Sequence, residues 1–320
     1  MPLQLNPHII ALTQAIFGDQ GPPPKPPVDD VPSRRVANKG FYELMSSSLP
    51  EFPDVDTKDF YTKAADGRTD IVLRWFQKRG STGPLPAVVF AHGGGMISMA
   101  VDDYDKIIKR YTSLSGTPIL AVDYRIAPES PAPGIVRDCY AGLEWLHAHA
   151  SELNVDTNRI AVGGDSGGGG IAAALALYAK SQKGPKISKQ FLLYPMLDDR
   201  TVRTDPEIAP MAVWNHEDNL TAWGAVLGDR RGTEDVMPYD AAGRMTVDDA
   251  RGLPPVYIDF GQIDLFRDEC LEYALKLSKA GVDCELHMFQ GMTHAAENLI
   301  VDAEAAKQMV AARIAFLKSI

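Results

Sequence analysis

The sequence predicts an α/β fold, a mostly parallel sheet with helices on both faces, and three observations lead there. Strand-like runs at 69–75, 87–91, 118–122, 159–163, 190–194, 256–260 and 285–289, the second of them short, apolar and β-branched, alternate with helical stretches over much of the chain, which is the pattern of repeated strand–helix units. Glycine-rich turns follow two of these runs directly, at 92–95 and 163–170. Finally, 320 residues with 45% hydrophobic side chains can bury a large core and leave room for more than one simple domain.

Taken in order, residues 1–50 stand apart from the alternation. Leu5, Ile9, Leu12 and Ile16 fall at helical spacing, with Asn6 as N-cap and Pro7 at the first helical position. A proline-rich connector, 21–27, separates this helix from a second one at 33–48. The first part of the sheet domain occupies 51–200. Residues 201–228 are inserted between the strand ending at Tyr194 and the strand starting at Val256, and 229–320 complete the sheet domain. Bland readings of the N-terminal segment are an amphipathic surface helix or a disordered arm. A membrane-surface helix would want Lys or Arg on its polar face, and residues 1–20 contain neither.

The turn Gly163-Gly164-Asp165-Ser166-Gly167-Gly168 joins a strand to the helical run that starts at Ile171. Serine at the tip of a sharp strand-to-helix turn, with glycine two residues to either side, fits a nucleophile elbow: bulkier neighbours would collide, and the serine backbone is strained. A dinucleotide-binding turn is the competing reading. It requires an early strand and an acidic residue about 20 positions on, whereas this turn is in mid-chain and 181–190 contains no acid. His92-Gly93-Gly94-Gly95 follows the strand at 87–91, so its amides can approach a ligand and form an oxyanion hole with the N–H of Gly167.

A nucleophilic serine needs a base, and the base an orienting acid. Of the seven histidines, His294 in Gly291-Met292-Thr293-His294 is the one placed just beyond a strand where a loop can hang it over the sheet edge. His147 and His149 lie two apart on a helix, His287 lies within a strand, His92 belongs to the glycine loop, and His8 and His216 have no neighbouring motif. Asp264 follows the strand at 256–260 in the same way as His294 follows its own. Asp259 lies inside that strand, Asp268 and Glu269 open the next helix, and Asp165 should point away from the serine. The chain order Ser166, Asp264, His294 is that of an α/β hydrolase.

With His92-Gly93-Gly94-Gly95, Asp123-Tyr-Arg-Ile-Ala-Pro-Glu129, Gly164-Asp-Ser-Gly-Gly168, Tyr194-Pro-Met-Leu-Asp198 and Asp264-Leu-Phe-Arg-Asp-Glu269 all present, the sequence from about Val72 onward resembles the bacterial hormone-sensitive-lipase-like (family IV) esterases. The resemblance implies Ser166 as nucleophile, His294 as general base and acid, Asp264 as its orienter, and Gly94, Gly95 and Gly167 as oxyanion donors. It further implies that 1–50 and 201–228 pack together as a cap, and Met96, Tyr194, Trp214 and Leu265 are the expected pocket residues. Two departures stand near that pocket: Gly167 where the family usually has alanine, and Ala295-Ala296 where it usually has glycine and an aromatic. The implied reaction is hydrolysis of short- to medium-chain carboxylic esters through an acyl-enzyme, with no metal and no organic cofactor. The same triad would serve a lactone or amide hydrolase, and a non-catalytic small-molecule receptor of this fold would be expected to lack His294.

Composition sets the remaining expectations. A net charge of −10 argues against nucleic acid as a partner, and no run of 18 apolar residues exists to span a membrane. The start Met1-Pro2-Leu3-Gln4 lacks a signal-like pattern, so the cytoplasm is the default location. Cys139, Cys270 and Cys284 are scattered and odd in number, as suits reduced thiols. The expected partner is a small-molecule ester, with a homodimer left open.

Overall fold

The computed structural model describes residues 3–203 and 205–320. Among the described residues eight strands form one sheet: β1 (Val55–Lys63), β2 (Asp70–Lys78), β3 (Leu85–Ala91), β4 (Ile119–Val122), β5 (Val155–Asp165), β6 (Gln190–Leu193), β7 (Val256–Ile263) and β8 (Cys284–Thr293). Their order across the sheet is β1-β2-β4-β3-β5-β6-β7-β8. Only β2 runs antiparallel to its neighbours, and all pairs from β4 to β8 are parallel. β4 and β6 are buried along their whole length, which is why β4 and the Phe-Leu-Leu of β6 read as apolar runs rather than alternating ones. The seven strands expected from the sequence are present, and β1 is an addition. Its sequence, Val-Asp-Thr-Lys-Asp-Phe-Tyr-Thr-Lys, exposes polar side chains because it is an edge strand held by β2 alone.

The helices of the sheet domain are α3 (Asp105–Ser115), α4 (Gly134–Ala148), α5 (Gly167–Gln182), the short α7 (Val247–Ala250), α8 (Arg267–Lys279) and α9 (Glu304–Lys318). Ala121, Phe90, Gly163 and Phe191 share one row of the sheet. On that face Phe191 meets Tyr111 of α3 and Phe316 of α9. The opposite face, carrying Val122 and Leu73, receives α4, where Gly142 allows backbone and sheet to approach. Helix α5 has twelve buried residues out of sixteen, as expected of a helix packed on the middle of a sheet.

Outside the sheet lie α1 (Pro7–Phe17), α2 (Val31–Ser48) and α6 (His216–Leu227). The Asn6 side chain caps α1 by accepting from the His8 N–H at 3.0 Å, and Pro7 begins the helix. The stripe on α1 takes a different partner from the expected one. Ile9 and Leu12 pack on Met292, Ala296, Ile300 and Met309, a cluster separate from the core that holds Trp214 and Trp223. The reason is the backbone anchor ahead of the helix, where Asn6 N–H donates to Gly291 O at 2.9 Å and ties α1 beside the end of β8. The connector and α2 meet the inserted segment instead. Lys25 Nζ donates to Val213 O at 2.7 Å, and the buried Arg34 of α2 pairs with Asp218 and donates to Thr221 Oγ1 of α6 at 2.9 Å.

Candidate active site

Four candidate groups leave the sheet at the C-terminal ends of parallel strands, where α/β sheets present their ligands. The glycine loop follows β3, Ser166 follows β5, Asp264 follows β7 and His294 follows β8.

Ser166 has φ 55° and ψ −122°, a strained conformation for a residue with a side chain. The flanking glycines make it possible. A Cβ on Gly164 would overlap the Gly168 carbonyl, and one on Gly168 would overlap the carbonyls of Ala91 and His92. The elbow is fixed by Ser166 N–H donating to Leu193 O at 2.9 Å and Met196 N–H donating to Ser166 O at 2.9 Å. The serine is also the N-cap of α5, whose first amides have no intrahelical acceptor and face the nucleophile's surroundings.

The structure brings the three widely spaced residues together. His294 Nε2 lies 2.9 Å from Ser166 Oγ, and its Nδ1 lies 2.8 Å from Asp264 Oδ2. Asp264 Oδ1 accepts the Phe266 N–H at 3.0 Å, which locks the carboxylate plane. With Nδ1–H donated to Asp264, Nε2 is left as the acceptor for the serine hydroxyl. The imidazole ring is held by edge contacts from Tyr194 and Phe266, at 4.7 and 5.3 Å between centroids. Burial works against the imidazolium, but the charge and hydrogen bond of Asp264 outweigh it, with help from Glu297 and Asp165, and raise the His294 pKa above its ordinary value.

The glycine loop meets the elbow closely. A Cβ on Gly167 would lie 2.8 Å from Met96 N and 3.0 Å from Gly95 N, so the glycine at 167 lets the loop backbone approach the first turn of α5. Gly94 and Gly95 have φ of 99° and 63°, values that suit residues without Cβ. The Trp214 indole of the inserted segment lies directly on Gly95. Ser166 and His294 are 3% and 6% exposed, so the reacting groups are covered.

Of the other expected pocket residues, Met96 lines an almost filled crevice with Gly170, Ile171 and Trp223. Leu265 borders a cavity of about 280 Å³ together with Asp264, Thr201, Ile208 and Arg267. Tyr194 sits behind His294, with its hydroxyl donating to Glu297 Oε1 at 2.9 Å.

Several buried groups here escape sequence reasoning. Arg313 of α9, fully buried, pairs with Asp259 at 2.6 and 2.9 Å and with Glu297 Oε1 at 2.6 Å. Glu297 is held below its usual pKa because Arg313 and Arg110 outweigh the effect of burial. Asp165 points away from the serine, as expected, with Oδ2 accepting from Tyr104 at 3.2 Å. Burial and the Glu297 charge push Asp165 up to about 7 against that hydrogen bond. No motif announces Glu297 or Arg313; their spacing to His294 becomes meaningful only once α9 is seen to pack under the histidine loop.

A strained serine after a central parallel strand, facing a histidine and an aspartate from the two strands that close one side of the sheet, defines an α/β hydrolase. The family described as the alpha/beta hydrolase fold matches residues 88–298, and the chain belongs to it. It is similar to the carboxylesterase NlhH of Mycobacterium tuberculosis, 34% identical over 80% of this chain and 81% of that one. The carboxylic ester hydrolase LipN of the same organism is 32% identical over 91% of this chain and 76% of the relative. Among solved structures, a bacterial heroin esterase superposes with a TM-score of 0.87 at 33% identity, covering 99% of this chain and 98% of its own. A thermostable esterase from Pseudomonas putida ECU1011 gives a TM-score of 0.87 at 26% identity, covering 99% and 97%. The resemblance to hormone-sensitive-lipase-like esterases drawn from the motifs is borne out. Among the described residues no helix is long and apolar enough to cross a membrane.

Proposed function

We propose that the protein is a serine carboxylesterase for small esters, and the observation that carries the reading is the continuous path from Ser166 through His294 to Asp264 at 2.9 and 2.8 Å. His294 removes the Ser166 proton as the hydroxyl oxygen attacks the ester carbonyl carbon. The oxyanion is stabilised by the amides of Gly94, Gly95 and Gly167. His294 then passes the proton to the leaving alcohol, and water repeats the cycle on the acyl-enzyme, releasing the acid. Asp264 holds the tautomer and stabilises the imidazolium. The esterase names of the relatives support this reaction class, and the covered serine supports a small substrate.

The proposal extends to architecture and setting. Segments 1–50 and 201–228 act as the cap over the core of 51–200 and 229–320, with α2 and α6 in contact through Arg34. Met96, Trp214 and Leu265 shape the pocket, and Tyr194 backs the histidine. A small-molecule ester is the partner and the cytoplasm the setting; nucleic acid and a membrane anchor have no place in the reading, and a homodimer is compatible with it. The test is a panel of p-nitrophenyl esters of rising acyl length beside an arylamide and a lactone, run with wild type and Ser166→Ala. Ester turnover that falls by about 10³-fold or more in the variant is expected. Turnover confined to the lactone or arylamide would move the reading to that class, and a variant keeping a tenth of the wild-type kcat would remove Ser166 as nucleophile.

A further inference from the structure

One face of α2 carries polar side chains that end on the glycine loop. Arg35 Nε donates to Ile97 O at 2.6 Å, Asn38 Nδ2 donates to Ser98 Oγ at 2.8 Å, and Tyr42 meets the hydroxyl of Tyr104 beside Gly93. These positions are three and four residues apart, so they share a helix face. Ser98, 2% exposed, spends its one proton on Gly94 O at 2.8 Å, an oxygen that also accepts the N–H groups of Ile97 and Ser98 at 3.2 Å.

The carbonyl of Gly94 and the N–H of Gly95 are two ends of one planar trans peptide, pointing in opposite directions. Whatever fixes that oxygen fixes the direction of that N–H. Hydrogen bonds to the oxygen also polarise the amide and strengthen it as a donor. With glycine on both sides, at φ of 99° and 63°, this peptide has little intrinsic preference for one orientation.

We propose that Asn38 and Ser98 are positioning residues for ester hydrolysis: Asn38, by donating to Ser98, directs the Ser98 proton to Gly94 O and so aims the Gly95 amide at the oxyanion. The proposal rests on the carboxylesterase reading above and gives the N-terminal segment a part in transition-state stabilisation beyond covering the pocket.

The polarity of the Asn38–Ser98 bond supplies the test. Asn38→Ala removes the donor that orients the Ser98 hydroxyl but supplies no competing acceptor, so Ser98 still donates to Gly94 O for part of the time. Asn38→Asp is nearly isosteric but only accepts, so it takes the Ser98 proton away from Gly94. Four proteins, Asn38→Ala, Asn38→Asp, Ser98→Ala and the Asn38→Asp/Ser98→Ala double variant, are compared with wild type on p-nitrophenyl butyrate. Asn38→Asp and Ser98→Ala should each lower kcat by about tenfold to a hundredfold, the range for a displaced oxyanion donor, with KM little changed. Asn38→Ala, which removes the orienting donor without reversing the Ser98 bond, should lower kcat by a smaller factor of about threefold to fivefold, and the double variant should be no worse than Ser98→Ala. In parallel, hydrogen exchange over residues 93–98 should quicken strongly in Asn38→Asp and Ser98→Ala and only slightly in Asn38→Ala.

The proposal is overturned if Asn38→Ala is the more damaging change, as a packing role requires. It is equally overturned if Asn38→Asp keeps its full effect without Ser98, as a plain charge effect requires, or if all variants match wild type. Absence of ester turnover in wild type would count against the carboxylesterase reading alone, and the exchange pattern would still decide the positioning of Gly94.

Discussion

Asp259 lies within β7 and Asp264 just past its end, five residues on, and asparagine at each should damage different properties. Asp259 is fully buried, with Oδ2 accepting from Arg313 Nε at 2.6 Å and from Tyr257 at 2.8 Å while Oδ1 accepts from Arg313 Nη2 at 2.9 Å. Asparagine has one acceptor where the carboxylate has two, so its amide must face a guanidinium donor, and Arg313 keeps only Glu297 as a counter-charge. Breaking a buried pair from one side costs about 3–5 kcal/mol. For 320 residues the entropy of unfolding near 60 °C is about 0.7 kcal/mol per degree, so Tm should fall by about 4–7 °C. Turnover per titrated active site should stay close to wild type, because Asp259 touches neither His294 nor Ser166. Asp264→Asn should do the opposite. It presents a donor to Nδ1, disfavours the tautomer that receives the serine proton, and should cost about 10⁴-fold in kcat with Tm nearly unmoved. Scanning calorimetry and active-site titration on the two proteins separate the cases. An Asp259→Asn protein with wild-type Tm and lost turnover would refute both the role given to Arg313 and the choice of acid.

The direction of the His294 shift places the acid limb of kcat/KM above the ordinary imidazole value of 6.5, since activity needs the neutral ring; a rate profile with its midpoint at pH 5 would contradict the Asp264 contact. Because that pKa is raised on folding, the stability it contributes is full below pH 6.5 and is lost as pH rises through the folded value, so the Tm gap between wild type and His294→Ala should narrow along that climb. Gly168→Ala should yield little folded protein, because its Cβ would overlap the backbone carbonyls of Ala91 and His92, which cannot swing aside as a side chain can; a soluble, active Gly168→Ala protein would show that the elbow has slack. Acyl preference in wild type should rise about fourfold per methylene over the first few carbons, peak at about four to eight and then decline, and Trp214→Ala, which uncovers Gly95, should move the peak to longer chains; an unchanged profile would place the acyl chain elsewhere.

The sequence carried the sheet and the reacting groups because their signals are local: glycines forced by contacts under 3 Å, apolar runs of strand length, and chain order. Strand β1 was illegible, since an edge strand with polar side chains looks like a loop until β2 is seen beside it. Glu297 and Arg313 were illegible for another reason. Charged residues are ordinarily on the surface, and only the packing of α9 makes a buried pair of them. The stripe on α1 announced a helix but not its destination, and no pattern in the sequence sets Asn38 on α2 apart.

The N-terminal segment is made before the sheet, and its anchors come late in the chain. Arg34 waits for Asp218, 184 residues on, Lys25 waits for Val213, 188 residues on, and Asn6 waits for Gly291 near the end of the sheet. Contacts of such long sequence separation close slowly. The segment should therefore remain unseated while the sheet assembles and dock only onto a finished surface, which makes its docking a report on the rest of the molecule. A chain whose sheet is misregistered offers Arg34 no carboxylate and the glycine loop no clasp, and so would hold its serine without the setting that makes it reactive.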